Sequence, residues 1–386
     1  MTTYGFLSTY APTRCGLATF SAALMGHLTA PEIGGSAGVV RVLDEPPTDR
    51  HEDVAGYLVN GTPDGPAVAA AALNGFDVAV IQHEYGIYGG RDGEDVLRVF
   101  EDLRVPSIVV LHTVLAMPSA HQRQVLERVA DAADVVVVMS EAARLRLNDG
   151  YLVDPDKIEV VPHGALSARG PRPAPAIDPF APAAAAQRRP TILTWGLIGP
   201  GKGIEWAIDA MADLADLDVA PRYLIVGQTH PKVQERDGDA YRDSLRARAQ
   251  NRGVEHIVEF DARYRDPRAL MDLVSRADVV LLPYESTEQV TSGVLIEAVA
   301  ACRPVVATRF PHARELLAAG AGIVVPHRDP AAMAAALRRI LTEPGLAASM
   351  IAHAGRVAPG LHWSAVAARY AGIAEGLLAV PCRAVA

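Results

Sequence analysis

The chain has 386 residues, half of them hydrophobic and only 5% aromatic, and carries a net charge of -9. Its length exceeds the ~250–300 residues at which one hydrophobic core stops growing, so two domains are expected. The acidic balance argues against nucleic acid as a partner, because neutralising phosphates needs a basic surface, and peripheral membrane contact is not indicated either.

Met1-Thr2-Thr3-Tyr4 leads directly into a predicted strand at Gly5-Phe6-Leu7, with no basic-then-apolar leader. No apolar run approaches the ~20 residues that span a bilayer, so a cytoplasmic location is expected. The first strand meets a small-residue loop ending at Cys15-Gly16 and then an apolar helix. There Gly16 lets the backbone face a ligand held by the other domain. Further strands are predicted at Val78–Gln82, Ser107–His112, Val135–Ser140 and Ile158–Pro162, with a helix over Ala120–Ala133. Continuous apolar strands alternating with helices specify a parallel sheet covered on both faces. Ligands bind outside the carboxyl ends of such strands, which puts His112 at the ligand edge as a candidate catalytic residue and His83, Glu84 and His163 there as cleft or acceptor-side candidates.

Residues 166–190 break the rhythm with prolines at a density that neither helix nor central strand tolerates. They are expected to be a linker between a first domain, 1–165, and a second, 191–362. A last helix, about 363–386, is expected to pack back on the first domain. Ala133-Asp134-Val135-Val136-Val137-Val138 is echoed by Ala277-Asp278-Val279-Val280-Leu281-Leu282, as two similar domains would require.

In the second half, strands are predicted at Thr191–Gly196, Tyr223–Gly227, Val279–Pro283, Val305–Thr308 and Ile323–Val325. The turn after the first reads Gly199-Pro200-Gly201-Lys202-Gly203. Its glycines let backbone approach an anion, and Lys202 adds a point charge at the next helix start. Thr229-His230 follows the second strand at the same edge. The strongest constellation is Pro283 to Ala298, where a polar loop carrying Gln289 and Thr291 precedes an apolar helix opened by Ser292-Gly293. Free N–H groups and the dipole at that start favour a diphosphate. Glu297 lies one turn along, roughly 5–6 Å, where a carboxylate grips ribose hydroxyls. No metal site is expected: Asp237-Gly238-Asp239 reads as a solvated loop, and Cys15, Cys302 and Cys382 are too scattered for zinc or a disulfide framework. A NAD-dependent enzyme is disfavoured, because no strand–Gly-x-Gly-x-x-Gly–helix unit is present.

These pieces, in this order, resemble the retaining glycosyltransferases of family 4: the Gly16 loop, His112-Thr113, Val160-Val161-Pro162-His163-Gly164, Gly201-Lys202-Gly203 and the Glu297 helix. The resemblance implies an α/β GT-B fold, two Rossmann-like doubly wound domains facing across a cleft. It implies a sugar, mannose or glucose among others, transferred from a nucleoside-diphosphate sugar to a carbohydrate or other hydroxyl acceptor. It places Lys202 on the diphosphate, Glu297 on the ribose and His112 beside the transferred sugar, with no metal or other cofactor. Two positions depart from the family pattern: Gln289 stands where a glutamate is usual, and Leu197 where an arginine is common. A phosphorylase or epimerase on the same fold, and a catalytically degenerate sugar-nucleotide-binding protein, are the alternatives.

Overall fold

The computed structural model describes residues 1–13, 15–48, 51–167, 188–263 and 265–379. Most of the expected linker, 168–187, and the end of the expected last helix, 380–386, lie outside the described residues. The chain forms two compact units, Met1–Gly164 with the described residues from Trp363 onward, and Ala165–His362.

The first unit runs β1 (Thr3–Ser8), α1 (Gly16–Leu28), β2 (Ser36–Leu43), β3 (Val54–Val59), α2 (Gly65–Leu73), β4 (Val78–His83), α3 (Val96–Asp102), β5 (Ser107–Leu111), α4 (Ala120–Ala132), β6 (Val135–Val138), α5 (Glu141–Gly150) and β7 (Ile158–Val160). Its seven strands lie in the order β3-β2-β1-β4-β5-β6-β7, and every neighbouring pair is parallel. All residues of β4 and β5 are buried, as a sheet with helices on both faces demands.

The second unit runs β8 (Thr191–Trp195), α6 (Ile204–Ala212), β9 (Arg222–Val226), α7 (Pro231–Asp237), α8 (Ala240–Asn251), β10 (Val258–Asp261), α9 (Pro267–Arg276), β11 (Val279–Leu282), α10 (Gly293–Ala300), β12 (Val305–Thr308), α11 (Pro311–Leu316), β13 (Gly322–Val325), α12 (Pro330–Thr342) and α13 (Leu346–Leu361). Its parallel sheet has the order β10-β9-β8-β11-β12-β13. Successive strand residues enter opposite cores: Ile192, Tyr223, Ile225 and Leu281 on one face, Leu193, Leu224, Val226 and Leu282 on the other.

α14 (Trp363–Ala379) belongs to the first unit and packs on α1, where the Phe20 and Trp363 rings meet edge to face at 5.1 Å. Among the described residues no helix is long and apolar enough to cross a membrane. Three strands were not expected from sequence: β2, β3 and β10. Both sheets share one logic, with strand order reversing between β1 and β4 in the first and between β8 and β11 in the second. Those switch points are where doubly wound sheets open a crevice at their carboxyl ends.

Candidate functional site

In the second unit, the chain leaves β8 at Trp195 and turns into α6 alongside the end of β11. Glu285 N–H donates to the Gly201 carbonyl at 2.9 Å, tying the two switch-point loops together. Gly201 and Gly203 have φ of 84° and 68°, in the left-handed region. A Cβ on Gly203 would lie 1.8 Å from the Pro283 carbonyl oxygen. Glycine therefore sets how closely the turn approaches β11.

This turn presents Lys202, whose Nζ sits 4.5 Å from the centre of the Tyr284 ring. Burial holds its pKa below the ordinary lysine value. Among the described residues no acidic side chain pairs with it. A half-buried ammonium without a counter-ion favours an anionic ligand. Lys202 lines an open pocket of about 490 Å³ with Pro200, Gly201, Tyr284, Glu285, Ser286, Gln289 and Arg328.

Tyr284 connects Lys202 to the start of α10: its ring lies beneath the ammonium, and the nearby Ser292 side chain offsets part of the rise that burial gives its hydroxyl pKa. Ser292 caps the helix through Oγ, accepting from Leu295 N–H at 3.3 Å, while its own N–H donates to His312 Nδ1 at 2.9 Å. Gly293 is the first residue of α10. Just before it, Thr291 Oγ1 is buried without a hydrogen-bond partner. Gln289 donates from Nε2 to the Thr291 carbonyl at 2.9 Å. Glu297, one turn into α10, accepts from Trp195 Nε1–H at 3.0 Å. Burial raises its pKa, and the indole bond offsets part of that rise.

Because a raised carboxyl pKa opposes folding above the ordinary glutamate range, Glu297→Gln is expected to raise the melting temperature at neutral pH. The gain should vanish as pH falls below that range, where the wild-type carboxyl is also neutral. Scanning calorimetry at two pH values checks this; an unchanged melting temperature at neutral pH would contradict a destabilising buried carboxylate at Glu297.

His230 sits beside the turn that carries Lys202: its N–H donates to the Ile198 carbonyl at 2.8 Å, and its ring caps α7, accepting from Lys232 N–H at 3.3 Å.

In the first unit, His83, Glu84, His112 and His163 gather at the carboxyl ends of β4, β5 and β7. His112 Nε2 and Gln82 Oε1 are 2.7 Å apart, and Thr113 Oγ1 donates to Glu84 Oε2 at 2.5 Å. Burial raises the Glu84 pKa against that bond. The Phe20 ring meets His112 at 5.0 Å and His163 at 5.1 Å. Burial, then the neighbouring His163 and His83, lower the His112 pKa to about 3. His163, whose Nδ1 bonds the Gly164 carbonyl oxygen, is lowered to about 4 by burial. Gly16 opens α1, and a Cβ there would meet nothing within 4 Å. Its own packing does not require glycine.

His83 is fully buried, has neither ring nitrogen partnered, and has its pKa lowered to about 4 by burial. A histidine with a depressed native pKa supports the fold above its ordinary pKa and loses that support as pH falls toward the native value. Unfolding free energy should therefore drop between about pH 6.5 and 4, with His83 contributing up to about 1.4 kcal/mol per pH unit. Denaturant titrations should show a shallower drop in His83→Gln; equal slopes would contradict the assignment.

Trp195, Phe20, Tyr284, Arg328, Trp206, His312 and Trp363 carry no local signal in the sequence that marks them as site residues. Their partners lie far away in the chain, as with Trp195 and Glu297, 102 residues apart.

The glycosyl transferases group 1 family matches residues 189–343, and glycosyltransferase family 4 matches residues 38–165. A D-inositol 3-phosphate glycosyltransferase of Kineococcus radiotolerans is 32% identical over 258 residues, 62% of this chain; the match spans 57% of that relative's length. The protein of the same name from Frankia alni is 27% identical over 358 residues, 85% of this chain and 82% of its own. Among solved structures, Anabaena Alr3699/HepE in complex with UDP superposes with a TM-score of 0.73 at 16% identity, covering 97% of this chain and all of that one. Sucrose-phosphate synthase of Thermosynechococcus elongatus gives 0.72 at 19% identity, covering 99% of this chain and all of its own. Two Rossmann-like sheets of these strand orders, with both family matches in sequence along the chain, place this protein in the group 1, family 4 glycosyltransferases of GT-B fold.

Proposed function

We propose that the protein transfers a sugar from a nucleoside-diphosphate donor to an acceptor hydroxyl with retention of anomeric configuration. The observation that carries this reading is Lys202, a half-buried ammonium without a carboxylate partner among the described residues, set over the Tyr284 ring near the start of α10. In this reading the diphosphate binds Lys202 and the N–H groups of the α10 first turn, beside Gly201, Thr291, Ser292 and Gly293. Glu297, steadied by the Trp195 indole, accepts from the ribose hydroxyls. Charge growing on the departing diphosphate is stabilised by groups already in position, and they take the neutralising role without a metal. Gln289 hydrogen-bonds the sugar without adding charge. His112 stands beside the transferred sugar as a neutral imidazole, and His83, Glu84 and His163 form the acceptor side.

The name shared by the curated relatives supports D-inositol 3-phosphate as the first acceptor to try. Alr3699/HepE, solved with UDP-glucose, supports that compound as the first donor. Gln289, an amide already engaged with the Thr291 carbonyl, favours a second reading: donor binding without transfer. A thermal-shift panel of UDP-, GDP- and ADP-sugars tests the shared premise. Stabilisation by at least one of them, lost in Glu297→Ala, is expected; no shift with any of them would overturn both readings.

A further inference from the structure

The pocket beside Lys202 has a second cation, Arg328, on the turn between β13 and α12. Its backbone has φ 55°, in the left-handed region that residues other than glycine seldom occupy. That turn is anchored to the same loop as Lys202. His327 Nδ1 bonds the Tyr284 carbonyl oxygen at 2.9 Å, and the Arg328 guanidinium forks onto Glu285 at 3.1 and 3.2 Å. Glu285 is held from the other side by Trp206 Nε1–H at 2.6 Å. The Arg328 side chain remains 62% exposed. An ion pair that open to water contributes little stability, so the pair does not account for the strained backbone beneath it. Only Nε and Nη2 meet Glu285, which leaves Nη1 for a ligand. Of the eight pocket-lining residues two are cations, and the single acid is already forked by one of them.

We infer that Arg328 is a second phosphate-binding residue of the donor site, with Trp206 and Glu285 as positioning residues that hold its guanidinium at the pocket. This rests on the donor reading proposed above and names a group that Lys202 acts with. The ligand chemistry is a diphosphate, whose two phosphates match two cations on one pocket better than a single phosphate does.

Arg328→Gly separates this role from a structural one. At φ 55° glycine is unstrained, so the melting temperature should stay level or rise. Affinity for the nucleoside diphosphate that binds the wild type best, among UDP, GDP and ADP, should fall by about tenfold or more, while affinity for its nucleoside stays constant. Arg328→Lys should recover part of the loss, and Glu285→Gln should weaken the diphosphate more than the nucleoside. Calorimetric titration reads all of these. Wild type binding none of the three nucleotides would overturn the donor reading and this inference together. Binding by wild type that is unchanged in Arg328→Gly, or nucleoside and diphosphate weakened equally, would overturn the inference alone.

Discussion

Lys202→Ala is expected to lower kcat/KM by about 10²–10³-fold, with most of the loss in kcat and the fold intact. The physical basis is asymmetry between the free and the reacting protein. Without ligand, the Lys202 ammonium is half-buried over the Tyr284 ring with no carboxylate among the described residues to balance it, and burial already pulls its pKa down. Removing it relieves that penalty, so the melting temperature should hold. With donor bound, the same charge faces a diphosphate whose negative charge grows as the glycosidic bond breaks, so its attraction is strongest at the transition state. Lys202→Arg should not restore the rate, because a planar fork does not reproduce a compact ammonium packed against Tyr284. Steady-state kinetics with a far-ultraviolet dichroism check reads this. Wild-type turnover in a folded Lys202→Ala protein would remove the lysine from the chemistry.

Gly203→Ala is expected to cost about 3 kcal/mol of stability or more, and to abolish donor binding with it. Two independent faults coincide: the backbone has φ 68°, and the added methyl lies 1.8 Å from the Pro283 carbonyl oxygen and 2.8 Å from its carbon. Relief requires the turn to separate from β11, which moves Lys202 away from Tyr284. The control is Gly16→Ala, where a methyl meets nothing within 4 Å and stability should change by no more than about 0.5 kcal/mol. Urea midpoints of the two variants should differ widely. A wild-type midpoint for Gly203→Ala would contradict the close approach at the switch point.

The interior of both sheets was legible because its strands are unbroken apolar runs. Val78–Ile81, Ile108–Leu111 and Val279–Leu282 are apolar and buried at every residue, and their shortness, β-branched content and flanking turns mark them as central strands. β3 and β10, two of the three strands that were missed, are sheet edges: Val54–Val59 has one buried residue, and Val258–Asp261 alternates apolar with acidic. An edge strand is covered less and is written with more polar residues. β2 lies inside the sheet but carries buried Arg41, which interrupts the apolar signal. At the site, charge at a strand end was readable, so Lys202, Ser292 and Glu297 emerged from their local setting. Trp195 on Glu297, Trp206 on Glu285 and Arg328 on Glu285 were not, because each pair forms only when the sheet brings distant loops together.

The central claim is a transfer reaction, and one assay meets it directly. The protein is incubated with UDP-glucose, and in parallel with GDP- and ADP-sugars, with and without D-inositol 3-phosphate and other hydroxyl acceptors. Nucleoside diphosphate release and the anomeric configuration of any glycoside are followed by nuclear magnetic resonance. The predicted result is acceptor-dependent release of the diphosphate and a glycoside with the donor's own anomeric configuration. An inverted glycoside, or nucleotide-sugar binding with no acceptor-dependent release from any donor, would contradict it.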